Sequence, residues 1–334
     1  MQMGSEYRNL RVFVTGAGGF IGSHLVEALV EAGASVRALV RYTSRGGWGH
    51  LEQLAPEKRN SVEVILGDVR DAQFLRNHIQ GCDVVFHLAA LIGIPYSYEA
   101  SESYVDTNVR GTLHILEAGR EAEVQRVVVT STSEVYGTAQ YTPIDEAHPL
   151  QAQSPYSASK IAADKLAESY HLSFGLPVVT VRPFNTYGPR QSARAVIPTI
   201  VSQLLAGADQ VRLGSLDPVR DLVYVEDTVR GFLRAGVVPQ AVGQVINLGT
   251  GQGISIGDLT RVIMGVVGRE VPVVRDAERV RPEASEVRLL VASAELAKKI
   301  LGWKPEVPLA EGLRKVAEYI GGNMAAYHVG SYAV

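Results

Sequence analysis

The chain has 334 residues, 46% of them hydrophobic and 20% charged, with a formal net charge of −3. This balance predicts a domain with a sizeable core and argues against nucleic acid as a partner, because there is no basic excess. No apolar run reaches the roughly 20 residues of a membrane span, and the single cysteine, Cys82, argues against a disulfide framework or a structural metal site, so we expect a cytoplasmic protein without a metal.

A glycine-rich loop lies between the first predicted strand and the first predicted helix. Residues 11–15 have the pattern of a buried strand, and residues 20–32 carry apolar side chains at helical spacing. Glycines permit a tight turn and a close backbone approach, and a helix N-terminus offers unpaired N–H groups to a pyrophosphate. The segment therefore predicts a dinucleotide site formed by Gly16, Gly19, Phe20, Ile21 and Gly22.

The end of the second predicted strand, residues 35–40, bears on which dinucleotide is bound. An Asp or Glu at this point would accept hydrogen bonds from the ribose hydroxyls. This chain instead has Arg41, and Ser44 follows three residues later. Guanidinium and hydroxyl groups suit a 2′-phosphate, so the local chemistry favours NADP. NAD, bound through other groups beside a solvated basic loop, remains the alternative.

Two further strands are predicted at residues 61–66 and 83–88, with a helix at residues 71–79 between them. Asp68 follows the first of these strands and is a candidate acceptor for the adenine amino group, although a turn carboxylate is the alternative. His87 lies within the second strand and is expected to be a packed residue. The predicted cofactor contacts after these two strands are Asp68, Val69, Leu88, Ala89 and Ala90.

A long helix over residues 99–119, with Asn108 on its surface, leads to a fifth strand at residues 127–129. The repeated alternation of strand and helix predicts an α/β protein with a right-handed, doubly wound parallel sheet. Ligands bind beyond the carboxyl ends of the strands in such a sheet. The polar residues that follow the fifth strand are therefore site candidates, namely Thr132, Ser133 and Glu134.

Tyr156 and Lys160 are four residues apart, shortly after Pro155, which suits the start of a helix. This spacing places both side chains on one helical face. A lysine ammonium beside a phenol favours the phenolate, so we expect a lowered tyrosine pKa and a usable base near neutral pH.

Taken together, these segments resemble the extended short-chain dehydrogenase/reductase family, and within it the NAD(P)-dependent nucleotide-sugar epimerases and dehydratases. The resemblance covers roughly residues 10–320 and includes Arg182-Pro183-Phe184-Asn185-Thr186-Tyr187-Gly188-Pro189-Arg190. It implies a Rossmann-type doubly wound parallel sheet with a smaller C-terminal α/β substrate-binding domain. Residues 1–180 would bind the dinucleotide, residues 181–334 would mainly bind a nucleotide-diphosphate sugar, and the chain would return to the first domain near residues 220–250.

The resemblance also implies roles for single residues. Tyr156 would remove a sugar hydroxyl proton as hydride leaves for the nicotinamide, Lys160 would hold the nicotinamide ribose, and Thr132 would hydrogen-bond the reacting hydroxyl. A homodimer would form through a four-helix interface made by the helix near residue 99 and the helix that carries Tyr156. The predicted substrate contacts are Asn185, Arg190, Arg220 and Arg281.

Glu134 bears most directly on the reaction. A 4-epimerase needs no side-chain base there, whereas a 4,6-dehydratase needs one to remove the C5 proton once C4 is a ketone. Ser133 or Glu134 itself would then protonate the leaving 6-hydroxyl. Residues 39–51 resemble configuration-retaining UDP- or GDP-N-acetylglucosamine 4,6-dehydratases, whose close relatives use NAD. We therefore expect a 4,6-dehydratase acting on UDP-N-acetylglucosamine.

Three alternatives remain beside this expectation. UDP-glucuronate decarboxylases share the string Ser-Thr-Ser-Glu-Val-Tyr-Gly, and a nucleotide-sugar 4-epimerase would share the cofactor site. A dinucleotide-binding regulatory protein would have no reason to keep Tyr156, Lys160 and Glu134 together.

The C-terminal half has shorter predicted elements. A strand at residues 178–182 and a helix at residues 197–206 are followed by a helix over residues 256–267, for which Ser255 is the expected cap. The segment of residues 321–334 is small and weakly patterned, so we expect it to be loosely held.

Overall fold

The computed structural model describes residues 6–327. In this part of the chain the strands are β1 (Arg11–Thr15), β2 (Ser35–Arg41), β3 (Val62–Gly67), β4 (Val84–His87), β5 (Arg126–Thr130), β6 (Val178–Pro183), β7 (Asn185–Tyr187), β8 (Val211–Leu213), β9 (Val219–Tyr224), β10 (Val245–Leu248), β11 (Gly253–Ser255), β12 (Val273–Arg275) and β13 (Leu289–Leu290). The α-helices are α1 (Phe20–Glu31), α2 (Pro56–Asn60), α3 (Ala72–Ile79), α4 (Ile94–Glu99), α5 (Ser101–Tyr104), α6 (Gly111–Glu121), α7 (Pro155–Phe174), α8 (Val196–Leu205), α9 (Val225–Val237), α10 (Ile256–Val267), α11 (Glu295–Leu301) and α12 (Leu309–Gly322).

A large parallel sheet confirms the predicted doubly wound architecture. Its seven strands are ordered β10-β6-β5-β4-β1-β2-β3, and each neighbouring pair is parallel. The chain builds outward in one direction from β1 to β3 and in the other from β4, so the order reverses between β1 and β4. A crevice forms at such a reversal, and ligands bind there in open α/β sheets.

Helices cover both faces of this sheet. Helices α1, α9 and α11 pack on one face, and α3, α6 and α7 pack on the other. The strands β4 and β5 are therefore buried on both sides, which explains why they consist of nearly continuous apolar residues. His87 and Cys82 are buried, as expected from their places in apolar runs.

A smaller unit is centred on β9, which pairs with β7, β11 and β13. A separate parallel pair, β8 and β12, lies with α8, α10 and α12 in the same part of the chain. The chain returns to the large sheet through α9 and β10, whereas β9 itself belongs to the small sheet. The boundary expected at residue 180 falls inside β6, a strand of the large sheet.

The predicted Ser255 cap of α10 is confirmed, because its hydroxyl accepts from the Asp258 backbone N–H at 3.0 Å.

The predicted long helix over residues 99–119 is wrong in its first half. The chain breaks at Ala100, and a π-helical segment at Val105–Arg110 separates α5 from α6. Asn108, expected on the surface, is 1% exposed. Its amide exchanges two hydrogen bonds with the backbone of Leu91, at 2.8 and 2.9 Å, and donates to Ser159 Oγ at 2.9 Å. An amide with all these partners tolerates burial, and wide helical turns of this kind often occur at functional sites.

The end of the described chain is more ordered than the sequence predicts. Helix α12 continues to Gly322, a 3₁₀ turn follows at Met324–Ala326, and Tyr327 is buried with its hydroxyl donating to the Gln191 carbonyl at 3.2 Å. The aromatic ring anchors a segment whose small residues give no periodic signal. Residues 328–334 of that prediction lie outside the described residues. Within residues 6–327, no helix combines the length and apolarity needed to cross a bilayer.

Candidate active site

The glycine loop forms a backbone cradle at the start of α1. Gly16 has φ +67°, and a Cβ built there would lie 2.8 Å from the backbone nitrogen of Ala89. A Cβ at Gly22 would lie 2.2 Å from the Gly16 carbonyl oxygen. Only glycine therefore allows the loop, the helix and the end of β4 to approach this closely. The result is a helix N-terminus beside an open cavity, which suits a pyrophosphate.

The cavity has a volume of about 900 Å³ and lies at the carboxyl ends of the large sheet's strands. It brings together most of the residues predicted from the sequence. Those that line it are Gly16, Gly19, Phe20, Ile21, Gly22, Arg41, Asp68, Val69, Leu88, Ala89, Ala90, Thr132, Ser133, Glu134, Tyr156, Lys160, Asn185, Arg220 and Arg281.

Ser44 and Arg190 are the two predicted site residues that do not line the cavity. Ser44 is exposed in the loop after β2. The Arg190 guanidinium donates to Glu27 Oε2 at 3.0 Å and lies 3.4 Å from Ser23 Oγ, so it is held against α1. Its backbone has φ +68°, a conformation that turns this residue away from the line of β7. A contact between Arg190 and substrate stays a prediction.

Arg41 lies beside the carboxyl end of β3, because it pairs with Gly67 in the strand register. The neighbouring Asp68 is held by Arg70, whose Nε donates to Oδ1 at 3.0 Å and whose Nη2 donates to Oδ2 at 2.7 Å. These hydrogen bonds hold the pKa of Asp68 below its usual value. Arg70 also lines the cavity, and sequence reasoning missed it because it follows no recognisable motif.

The polar residues after β5 form a tight turn. Thr132 caps a 3₁₀ turn over Ser133–Tyr136, and its Oγ1 accepts from the Glu134 backbone N–H at 3.2 Å. Tyr156 and Lys160 face this turn from α7. That helix begins at Pro155, a start that is favoured by the capping box between Ser154 and Ser157 and by a proline in the first turn. Thr132, Glu134, Tyr156 and Lys160 thus meet at one end of the cavity.

Burial dominates the electrostatics of the tyrosine and the lysine. It raises the pKa of Tyr156, while a hydrogen bond with Thr132 opposes the rise and the charge of Glu134 adds to it. This differs from the expected lowering of the Tyr156 pKa, because desolvation of a buried phenolate outweighs the helical spacing to Lys160. Burial also lowers the pKa of Lys160 to about 8, and its Nζ donates to the Thr130 carbonyl at 2.5 Å.

Three polar atoms that face inward lack a hydrogen-bond partner among the described residues. They belong to cavity-lining residues and are Thr130 Oγ1, Asn185 Oδ1 and Gln191 Oε1. All three atoms have almost no accessible surface, so as placed they are not open to a ligand in the cavity. The fit to a dinucleotide therefore rests on the glycine cradle and on the cavity beside it.

Two arginines of the cavity wall share one carboxylate. Arg220 Nη2 lies 3.4 Å and Arg281 Nη1 lies 3.5 Å from Glu286 Oε1. Burial lowers the pKa of Arg220, and the carboxylates of Glu134 and Glu286 oppose this. Two guanidiniums on one carboxylate leave a net positive charge, which suits a diphosphate. Sequence reasoning missed Glu286, since a single acidic residue in a loop carries no signal.

The fold and the site define an oxidoreductase-type α/β protein with a dinucleotide cradle and a Thr-Tyr-Lys centre. The chain matches the family model described as GDP-mannose 4,6 dehydratase over residues 13–316. It therefore belongs to this family of nucleotide-sugar dehydratases and epimerases, which are extended short-chain dehydrogenases/reductases.

Individual relatives fall into both reaction types. A UDP-glucose 4-epimerase from Mycolicibacterium smegmatis is 35% identical over 316 residues, which cover 93% of this chain and 98% of that protein. A dTDP-glucose 4,6-dehydratase from Actinoplanes sp. is 31% identical over 319 residues, covering 94% and 98%. The crystal structure of DesIV, a dTDP-glucose 4,6-dehydratase from Streptomyces venezuelae with NAD bound, has a TM-score of 0.85 at 31% identity, covering 96% of this chain and 99% of that chain.

Proposed function

We propose that the protein is an NDP-hexose 4,6-dehydratase that converts UDP-N-acetylglucosamine to its 4-keto-6-deoxy product. The observation that carries the proposal is the position of Glu134, a carboxylate on the cavity wall in the same turn as Thr132 and across from Tyr156. A plain epimerase has no use for a base at this point, whereas elimination across C5 and C6 requires one.

NAD(P) is the cofactor that the cavity fits. The Gly16–Gly22 loop would hold its pyrophosphate, Asp68 and Val69 would lie at its adenine, and Lys160 would hold the nicotinamide ribose. When bound, it supplies a hydride acceptor for C4 and returns the hydride to C6, so that none is consumed overall. Arg41 favours NADP through a 2′-phosphate, whereas NAD is bound in the solved relative DesIV.

The polar side chains of the site each have one role in the proposed reaction. Thr132 orients the 4-hydroxyl, and Tyr156 accepts its proton once the phenol is ionised, a form that burial opposes and the Thr132 hydrogen bond favours. Glu134 then removes the C5 proton, which the adjacent ketone makes acidic, and Ser133 or the protonated Glu134 donates to the departing 6-hydroxyl. C5 takes up a proton when C6 is reduced, which balances the proton that Tyr156 accepted from the 4-hydroxyl, so one water is lost overall. The diphosphate would lie between Asn185, Arg220 and Arg281, which all line the cavity.

A nucleotide-sugar 4-epimerase is the second candidate, supported by the M. smegmatis relative. UDP-glucuronate decarboxylase is the third, because it too would use a carboxylate near C5. The three reactions give products of different mass: the dehydratase product lacks one water, the decarboxylase product lacks carbon dioxide, and the epimerase product is isobaric with its substrate.

The test is incubation of the purified protein with a panel of UDP-, GDP- and dTDP-sugars, followed by mass spectrometry. We expect loss of one water from UDP-N-acetylglucosamine without added reductant. Release of carbon dioxide from UDP-glucuronate, or interconversion of UDP-glucose and UDP-galactose without water loss, would select an alternative. Dinucleotide binding with no turnover of any sugar would favour a regulatory protein.

A homodimer in the cytoplasm is the assembly and compartment that we propose. Apolar side chains are exposed on α7 and on the π segment, where Leu172 is 76%, Phe174 is 54% and Val105 is 50% accessible. Burial of these side chains between two copies would remove apolar surface from water. Light scattering after size exclusion is expected to give twice the chain mass, and Leu172→Glu together with Phe174→Glu is expected to shift it to the monomer. A monomeric wild-type protein would contradict this interface.

A further inference from the structure

A buried carboxylate lies behind the active site, one helical turn after Lys160. Asp164 is 4% exposed on α7. Its Oδ2 accepts three hydrogen bonds, from Ser131 Oγ at 2.8 Å and from Arg182 Nε and Nη2 at 3.1 and 2.9 Å. Its Oδ1 is also buried and has no hydrogen-bond partner within the described residues. One oxygen of this carboxylate is therefore fully used, in part by an ion pair with Arg182 at 2.9 Å, and the other has no direct partner among the described residues.

The contacts on Oδ2 fix the carboxylate to the large sheet. Ser131 directly follows β5, and Arg182 lies in the adjacent strand β6. Arg182 also donates from Nη1 to the Tyr136 hydroxyl at 2.9 Å, and that hydroxyl donates to Asn247 Oδ1 in β10 at 2.7 Å. A network that ties three strands to α7 leaves Asp164 little freedom to move. Such fully connected buried networks rigidify their surroundings.

Lys160 needs a counter-charge. Its side chain is 3% exposed, and the hydrogen bond to the Thr130 carbonyl satisfies one donor but no charge. A buried ammonium is costly unless it is paired. The ionisable groups that face it are Tyr156 and Asp164 on its own helix, His87 on β4, Arg182 on β6 and Glu134 beyond Tyr156.

Among these groups, Asp164 is the one placed to supply the negative charge. His87 stays neutral, because burial and, to a smaller extent, the Lys160 charge lower its pKa to about 3. Arg182 directs its guanidinium to Oδ2 and away from Oδ1. Residues four apart on a helix lie on one face, so Asp164 and Lys160 are neighbours. The charge of Asp164 raises the pKa of Lys160 against the effect of burial.

We propose that Asp164 is a positioning residue, the counter-ion that keeps the Lys160 ammonium charged and seated at the end of β5. This rests on the role of Lys160 in the proposed function. Asp164 does not line the cavity, so the carboxylate would act only through the lysine. Removal of its charge is expected to make Lys160 a neutral amine near physiological pH. A neutral amine would bind a ribose more weakly and would no longer stabilise the Tyr156 phenolate.

The test measures the protonation of Lys160 directly in the full chain. Trace acetylation with acetic anhydride labels only the neutral amine, so peptide mass spectrometry across a pH series gives the Lys160 pKa, with exposed Lys298 as the internal reference. Asp164→Asn is expected to lower the Lys160 pKa by about 1 to 3 units. Ser131→Ala removes a neutral hydrogen bond from the same carboxylate and is expected to leave the Lys160 pKa in place. An unchanged Lys160 pKa in Asp164→Asn would overturn the proposal.

A second variant separates charge from folding. Asp164→Asn leaves Arg182 buried without its partner and is expected to lower the unfolding temperature. In the double variant Asp164→Asn/Arg182→Gln both charges are absent, so part of the stability is expected to return while the Lys160 pKa stays low. Recovery of both together would show that Asp164 has only a structural role and would overturn the proposal.

Dinucleotide binding provides the functional readout. Equilibrium dialysis with NAD is expected to show that affinity falls with rising pH at least one unit earlier in Asp164→Asn than in the wild type. An identical pH dependence in the two proteins would contradict the role of Asp164. Neither measurement uses a sugar, so a protein that shows the shift but dehydrates no nucleotide sugar would refute the proposed function and leave this inference standing.

Discussion

Replacement of Glu134 by glutamine is the sharpest test of the proposed chemistry. Glutamine keeps the size of the side chain and can be accommodated in the same turn, because Thr132 caps that turn through the Glu134 backbone N–H and not through the carboxylate. The variant is therefore expected to fold and to bind the dinucleotide. It loses only the group that would accept the C5 proton.

The expected loss follows from general base catalysis. A positioned base contributes about 10² to 10⁴ in rate, which corresponds to about 3 to 5 kcal/mol of barrier at 1.36 kcal/mol per tenfold. Dehydration in Glu134→Gln should fall by this factor. Oxidation at C4 uses Thr132, Tyr156 and Lys160, so it should persist, and reduced cofactor should accumulate as absorbance at the nicotinamide band.

Glu286→Gln is the matched control, since it removes the same charge from the same cavity. Glu286 contacts the two arginines proposed to hold the diphosphate, Arg220 and Arg281, so its loss should change KM and leave kcat within a few-fold of the wild type. Two measurements decide the outcome: product formation by mass spectrometry and nicotinamide absorbance in single turnover. A Glu134→Gln enzyme that dehydrates the sugar at the wild-type rate would refute the assignment of the C5 base.

Three further predictions concern the cofactor and stability. Gly22→Ala places a Cβ 2.2 Å from the Gly16 carbonyl oxygen, so the backbone must shift, and the Kd for dinucleotide by calorimetry should rise at least about tenfold; an unchanged Kd would contradict the cradle. Arg41→Asp should reverse a preference for NADP over NAD, and an unaltered ratio of the two Kd values would show that Arg41 does not read the 2′-phosphate. Burial lowers the pKa of His24 to about 4 and that of His87 to about 3, below the 6.5 of an ordinary histidine. The unfolded chain therefore binds more protons below pH 6.5, and the free energy of unfolding in urea should fall by a few kcal/mol from pH 7 towards pH 4, whereas a level profile would contradict neutral buried rings.

Local spacing predicted the cofactor half of the protein well. The strand, glycine loop and helix at residues 11–32 are consecutive, and the spacing of Tyr156 and Lys160 sets their common face before any tertiary contact forms. The elements that carry them therefore appear within one or two residues of their expected bounds. The same holds for the doubly wound parallel sheet, because the alternation of strand and helix restricts the topology.

Features that depend on distant residues were not accessible from the sequence. Asn108 was expected on a surface because helical spacing says nothing of Leu91 and Ser159, which satisfy its amide. The direction of the Tyr156 pKa depends on how deeply the ring is buried. Arg190 stands in a recognised motif, yet Glu27 on α1 holds it outside the cavity. In each case the partner lies far along the chain, and only the fold brings it near.

The order of strands predicts different effects for substitutions at the turn after β5 and for substitutions at Arg220 and Arg281. Strand β5 lies between β4 and β6, so the turn with Glu134 lies between Ala89 on the cofactor side and Asn185 on the substrate side. A sugar ring held from the β6 side and oxidised from the β4 side must cross the end of β5. Substitutions there should alter which bond breaks, whereas substitutions at Arg220 and Arg281 should alter which nucleotide diphosphate is accepted. Dehydratases and epimerases can therefore share this cavity and its cofactor and still differ at the turn after β5.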